Sequence, residues 1–280
     1  MKLSVLMPVY YRESPEFLRQ CLASLAAQTV AADEIVIVED GPLGAELEGV
    51  IRIAGQTLPI VSVRLPVHGG LGTALSAGLD ACGSELVARM DADDLCTPDR
   101  FRRQIDFMER NPEVDVVGSA IAEFGSDPLA IESVRRLPAS GRALMSFAKL
   151  RNPLNHMTVM FRRRAVLDAG SYKPCADFED YHLWARMLRR GCRLHNLPDA
   201  LVQVRCGNGM QRRRGGWAYL IGEIAFQRFL HRIGFISASN GLRNVLARAP
   251  IRLVPAQIRS AFYLYFLRER APRNRGLTIE

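Results

Sequence analysis

Residues 84–94 read SELVARMDADD. The run ELVARM has the composition of a buried strand, and the next residues, MDADD, place Asp91, Asp93 and Asp94 within four positions. Carboxylates this close repel and raise one another's pKa unless something cationic holds them. Two readings stand open on these residues alone. One is a solvated turn that favours Asp. The other is a hard divalent cation, which takes oxygen ligands.

Working outward, strands and helices alternate. LSVLMPVY (3–10) reads as a first buried strand. SPEFLRQCLASLAAQT (14–29) is a helix with Ser14 as N-cap and Pro15 at its first position. DEIVIVEDG (33–41) is a second strand leaving into an acidic turn. LGAELEGVIRIAG (43–55) is a helix, LPIVSVRLP (58–66) a third strand, GLGTALSAGLDAC (70–82) a helix, and SELVARMD a fourth strand. This order implies right-handed crossovers and a mostly parallel sheet flanked by helices. Ligands of such sheets bind beyond the carboxyl ends of the strands. Pro8, Val9 and Tyr10, then Glu39 and Asp40, then the MDADD turn all fall at that edge.

Several ligand classes are excluded. Gly70-x-Gly72 is followed by Leu75 where a dinucleotide fingerprint needs a third Gly, and no Walker-type loop is present. A diphosphate held by a metal needs no glycine cradle, and one or two carboxylates hold magnesium or manganese there. The six cysteines are scattered without a CxxC pair, which argues for a reducing compartment and against zinc. No run approaches a membrane-spanning length, and the N-terminus lacks the apolar core of a signal peptide. The expected location is the cytoplasm, or a membrane reached from that side.

Charge is unevenly distributed. From Arg205 to Glu280 there are 14 Arg, no Lys and three acids, a net of +11; the whole chain is +8, so residues 1–204 carry −3. A basic tail suggests an anionic partner, although a solvated helix face has the same composition. WAYLIGEIAFQRFLHRIGF (217–235) and APIRLVPAQIRSAFYLYFLRER (249–270) interleave Arg with aromatic and aliphatic residues, as helices lying in a membrane interface do. No recognised fold or stacking platform accompanies the arginines, so nucleic acid is not expected as a partner.

SVLMPVYYR (4–12), DEIVIVEDG, RMDADDLCTPDRFRRQ (89–104) and FEDYHLWARML (178–188) resemble, in order and spacing, family 2 glycosyltransferases of bacterial exopolysaccharide, capsule and O-antigen assembly. The resemblance spans about residues 1–215. It implies the GT-A (nucleotide-diphospho-sugar transferase) fold in residues 1–215, with a nucleotide-binding half (1–95) and an acceptor half (96–215). Residues 216–280 then form a helical basic C-terminal extension.

The resemblance also implies roles. Pro8, Val9 and Tyr10 match the segment around the nucleotide base and ribose. Asp40 matches the carboxylate that accepts from uracil N3–H, with Glu39 beside it. Asp91, Ala92 and Asp93 match the DXD motif, which contacts the ribose and an Mn2+ or Mg2+ ion, Asp93 being the direct ligand. Asp180 matches the general base, next to Glu179. Leu75 and Ser76 stand where the family has Arg-Asn, and Arg205-Cys206-Gly207 stands where an R-x-H metal ligand is common. His156 is a candidate donor or acceptor contact, and Arg212, Arg213 and Arg214 are candidate phosphate contacts. Each has a plainer reading: Asp40 as a turn residue, Glu179 and Asp180 as helix-start acids, His156 as a structural hydrogen-bonder, the arginines as a solvated run. Trp184 and Met187, one turn apart, are expected in the core.

The expected activity is inverting, metal-dependent transfer from a nucleotide-sugar, a UDP-sugar by the resemblance, to a lipid-diphosphate-linked glycan at an anionic membrane surface. A sugar-phosphate nucleotidyltransferase shares the sheet and the metal carboxylates, but has a Gly-rich basic loop where this chain has PVYYRES. A non-catalytic membrane-associated nucleotide-sugar-binding protein is the third reading.

Overall fold

The structure, a computed structural model, describes residues 1–175, 177–206, 216–253 and 269–270. Its first third is a run of parallel β/α units: β1 (Leu3–Val9), α1 (Pro15–Ala26), β2 (Glu34–Glu39), α2 (Ala45–Ala54), β3 (Ile60–Arg64), α3 (Leu71–Ala81) and β4 (Leu86–Arg89). The start of α1 follows from its sequence: Ser14 Oγ accepts the Phe17 N–H at 3.4 Å, and Pro15 needs no donor there. Strand order is β3-β2-β1-β4, all parallel, with Val5 opposite Ile35 and Val87 opposite Ser4. All four carboxyl ends therefore share one edge.

Beyond β4 the sheet becomes mixed. The chain continues through β5 (Leu95–Cys96), α4 (Arg100–Arg110), β6 (Val116–Phe124), β7 (Ile131–Arg135), α5 (Gly141–Ala148), a 3-10 turn (His156–Thr158), β8 (Met160–Arg162), α6 (Arg163–Asp168), α7 (Glu179–Arg189) and β9 (Leu194–Arg205). β8 runs antiparallel between β4 and β6, pairing Met160 with Ala88 on one side and Val117 on the other. β6 is parallel to the long β9, and the short β5 pairs antiparallel with β9. Residue alternation along the strands gives two cores, one on each face. Val5, Met7, Ile35 and Ile37 pack with Leu18, Leu22 and Phe101; Leu6, Val36 and Val38 pack with Leu79, and that cluster extends to Trp184 and Met187.

The C-terminal region adds α8 (Trp217–Arg232), α9 (Ala238–Leu253) and a short β10 (Glu269–Arg270) antiparallel to β7. α8 buries Tyr219, Phe226 and Leu230 in the same core as α7. Phe226 stacks on Phe178 at 4.7 Å, and Phe229 on His182 at 3.8 Å. Asn244 of α9 donates to Gln227 and to the Lys149 carbonyl, and Arg248 pairs with Glu223. Trp217 (70% exposed) and Ile221 face away from that core. Among the described residues no helix is long and apolar enough to cross a membrane.

Candidate active site

The end of β2 organises one corner of the cleft. Asp40 is 3% exposed; its Oδ1 accepts the Gly69 N–H at 2.7 Å, its Oδ2 the Gly70 N–H at 3.0 Å, and His68 Nδ1 lies 2.9 Å from Oδ2. A carboxylate thereby caps the start of α3, a favourable place for negative charge. Gly41 is required beside it, because its φ is +84° and a Cβ would meet the His68 nitrogen at 2.7 Å. Tyr10, just past β1, stacks on His68 at 5.9 Å, so an aromatic wall stands next to the capped loop. Asp40 Oδ1 keeps a lone pair beyond its loop amide, whereas the second site of Oδ2 is met by His68. Val9 is buried and Pro8 half-buried beneath this corner. Glu39 points to the sheet edge, where Arg64 Nε holds its two oxygens at 3.2 and 3.1 Å.

The MDADD turn leaves β4 between this corner and the second half of the protein. Arg89, 2% exposed, pairs through Nη2 with Asp91 Oδ1, while its Nε and Nη1 have no partner among the described residues. Asp94 is buried and accepts the Arg205 N–H at 3.0 Å. Arg205 also reaches the Asp93 carbonyl at 3.4 Å and lies over Phe17 and Phe124 at 3.9 and 4.8 Å. Burial, and then the neighbouring Asp91, push the Asp93 carboxyl up to about 6, and Asp94 is raised by the same causes. Ala92 is buried inside the turn. Crowded oxygen donors whose ionisation is held back by their surroundings fit a hard cation. Among the described residues no three His, Cys, Asp or Glu side chains converge on one point. A cation held at Asp93 would therefore draw its other ligands from phosphate oxygens and water.

Across the cleft, Asp180 sits in the first turn of α7. Its Oδ1 accepts the Tyr181 N–H at 2.6 Å, and its Oδ2 accepts from Asn152 Nδ2. His156 is buried with Nδ1 4.0 Å from Asp180 Oδ2 and Nε2 3.1 Å from the Tyr172 hydroxyl. Burial, with Arg89 adding to it, holds the His156 imidazole well below its ordinary value, so it is neutral. Glu179 is pushed up to about 7, first by burial and then by Asp180. The charge of Arg89 acts on Asp93 of the turn and on His156, Tyr172 and Glu179 of this cluster. Arg89 thus acts on both groups, while Arg205 adds its charge on the side of the turn.

The model of the family described as "Glycosyl transferase family 2" matches residues 4–170. This chain belongs to that family. It is 44% identical over 263 residues to the amylovoran biosynthesis glycosyltransferase AmsE of Erwinia amylovora, covering 93% of this chain and 97% of that protein. It is 36% identical over 267 residues to an Escherichia coli UDP-Gal:alpha-D-GlcNAc-diphosphoundecaprenol beta-1,3-galactosyltransferase, covering 95% and 97% of the two chains. Among solved structures, the mannosyltransferase PcManGT of Pyrobaculum calidifontis, in complex with GDP-Man and Mn2+, superposes with a TM-score of 0.63 at 19% identity, covering 95% of this chain and 81% of that one. The fold is GT-A, as the motifs implied, and the protein is a family 2 glycosyltransferase, which removes the nucleotidyltransferase and non-catalytic readings.

In this transferase, Tyr10, Asp40, Asp91 and Asp93 follow the carboxyl ends of β1, β2 and β4 on one sheet edge, Arg89 links the turn electrostatically to the Asp180 cluster, and Ala92 is buried within the turn. Glu39 stands apart on Arg64. Arg212, Arg213 and Arg214 lie outside the described residues. His156 contacts Tyr172 and faces Asp180. Sequence reasoning passed over four site residues. Arg89 is a charge inside an apolar strand, and Asn152 opens the NPLNHMT segment that contains His156, so both left a signal. His68 stands beside the glycines considered for a fingerprint, whereas nothing local distinguished Tyr172.

Proposed function

We propose that this transferase moves a sugar from a nucleotide-sugar, a UDP-sugar in the first instance, onto a lipid-diphosphate-linked glycan during surface polysaccharide assembly, with inversion at the anomeric carbon. The observation that carries the reading is the opposition of the Asp91–Asp94 turn and the Asp180 cluster across Arg89. Tyr10 stacks against the nucleotide base, and Asp40 accepts its N–H with the lone pair that Oδ1 keeps. Asp93, with Asp91 behind it, would hold Mn2+ or Mg2+ at the diphosphate. Bound there, such an ion would supply positive charge to stabilise the leaving diphosphate. Asp180 removes the proton from the attacking hydroxyl, its carboxylate aimed by Asn152 and the Tyr181 N–H. Neutral His156 keeps Nδ1 near Asp180 without competing for that proton. The catalytic unit is residues 1–215.

The names of two relatives support the polysaccharide role and the UDP-sugar and lipid-diphosphate substrates, and the Mn2+ complex supports the metal. Residues 216–280, at the basic end of the chain, hold the enzyme against the anionic cytoplasmic face of the membrane. Exposed Trp217 and Ile221 and the surplus of arginine support that placement.

The test is UDP binding measured calorimetrically with and without Mn2+, for the wild type and Asp93→Asn. The metal-dependent gain should disappear in the variant while its melting temperature stays near wild type. An unchanged gain would return MDADD to an ordinary solvated turn.

A further inference from the structure

We propose that Arg89 is a built-in counter-cation that makes metal capture conditional on the donor's diphosphate. The inference rests on the reading of Asp93 as metal ligand and goes beyond it, since that reading assigns no role to Arg89. Arg89 ends β4 with its backbone fixed on three sides: it stands opposite Leu6 of β1, its N–H donates to the Val159 carbonyl at 2.9 Å, and its carbonyl accepts from Arg100 Nη2 at 2.8 Å. The guanidinium therefore has little freedom to leave. Among the described residues its guanidinium is buried with one partner, Asp91, and with Nε and Nη1 unpaired. Burying an ion so incompletely partnered is costly, and an apolar side chain would suit the strand better. The arrangement makes sense when the surrounding carboxylates, Asp91, Asp93, Asp94 and Glu179, need a resident positive charge to stay together before any ligand arrives.

The same charge has a second effect. It occupies Asp91 Oδ1, leaving Asp93 as the carboxylate open to a metal, and it repels any dication placed there. No third protein ligand compensates among the described residues. A metal ion alone meets one available carboxylate and a buried cation. A metal ion arriving with a diphosphate brings its own anionic oxygens, and Arg89 then helps to neutralise them. Arg89 acts through Asp91 and the local potential, so it is a positioning residue.

The experiment is Mn2+ binding to the full chain, followed by the EPR signal of free Mn2+, with and without UDP, for the wild type, Arg89→Met and Arg89→Lys. The wild type should bind Mn2+ weakly alone and tightly with UDP. Arg89→Met frees Asp91 and removes the repulsion. It should bind Mn2+ alone at least about tenfold more tightly, the scale Coulomb's law gives for a +1/+2 pair several ångströms apart at intermediate dielectric. Its UDP enhancement should shrink accordingly, whereas Arg89→Lys should stay close to wild type. A folded Arg89→Met with unchanged affinity for Mn2+ alone overturns the proposal. If that variant does not fold, the wild type decides: equally tight Mn2+ binding with and without UDP overturns it, and a strong UDP requirement retained in Arg89→Lys supports it. Should Mn2+ bind in neither condition, the metal reading itself falls, and this proposal with it.

Discussion

At the Asp40 corner, a carboxylate at a strand end is held by two backbone amides and faces an aromatic ring at the end of the neighbouring strand. On the other side, Asp180 is held by a side-chain amide as well as one backbone N–H, and lies beside a histidine that leans on a tyrosine from another loop. The first corner is built mainly from main chain whose position is set by parallel strand pairing. The second depends on side chains and on the seating of α7, which α8 supports through Phe226 and Phe229. The contrast teaches that donor binding should tolerate damage to the C-terminal packing, while transfer should not.

The largest test strikes the support of α7. Phe226→Ala removes a ring that is 2% exposed and should cost about 3–5 kcal/mol of stability in denaturant melts. In the fraction that remains folded, UDP affinity should stay near wild type while transfer falls. Equal loss of both would join the two sides into one unit and break the comparison.

Next comes the proposed base, Asp180. Asp180→Asn keeps shape and most contacts but cannot take a proton, so kcat should fall at least about a hundredfold. Affinity for UDP, measured separately, should be unchanged. Surviving transfer together with lost donor binding would move Asp180 to the donor side.

Asn152→Ala sharpens the comparison, because it touches the base through one hydrogen bond. Loss of that orienting contact should lower kcat about tenfold, roughly 1.4 kcal/mol, with donor KM constant. A change confined to KM for the donor would contradict its assignment to the acceptor side.

The smallest effect concerns Glu179. Its carboxyl is raised to about 7 in the folded protein from the ordinary 4.5, by burial and then by Asp180. The folded form thus keeps a proton that the unfolded chain releases. This contribution to stability is fully present below about pH 4.5 and is lost as pH rises through about 7. Glu179→Gln has no charge to bury, so it should melt several degrees higher than wild type at pH 8. The gap should close at pH 4.5. A gap independent of pH would mean that the carboxylate is not desolvated in this way.

How much was legible differs between the two sides for a physical reason. Ser14-Pro15, the apolar strands ending in Asp40 and in MDADD, and the glycines after them are local signals. Strand alternation and capping act between residues close in sequence, so the parallel half and the positions of Tyr10, Asp40, Asp91 and Asp93 could be read directly. Glu39 carries a contact that reading did not foresee: it stands next to Asp40, yet its carboxylate is held by Arg64 of the neighbouring strand. The mixed half was less legible, because β6 finds β8 and β9 through long loops that carry no pairing signature.

The sequence by itself determined the β/α order, the carboxylates at the strand ends and the charge asymmetry, since each depends on residue type and near-neighbour spacing. Only the tertiary structure decided that Arg89 would be buried against Asp91, that Asn152, His156 and Tyr172 would gather around Asp180, and that the first part of the basic tail would pack on α7. Apart from Arg89 and Asp91, which are near neighbours, those contacts join residues 16 to 48 positions apart. They exist because folding the two cores brings the ends of β4, α7 and the 152–158 loop to one place, and no local pattern specifies which side chains will meet there.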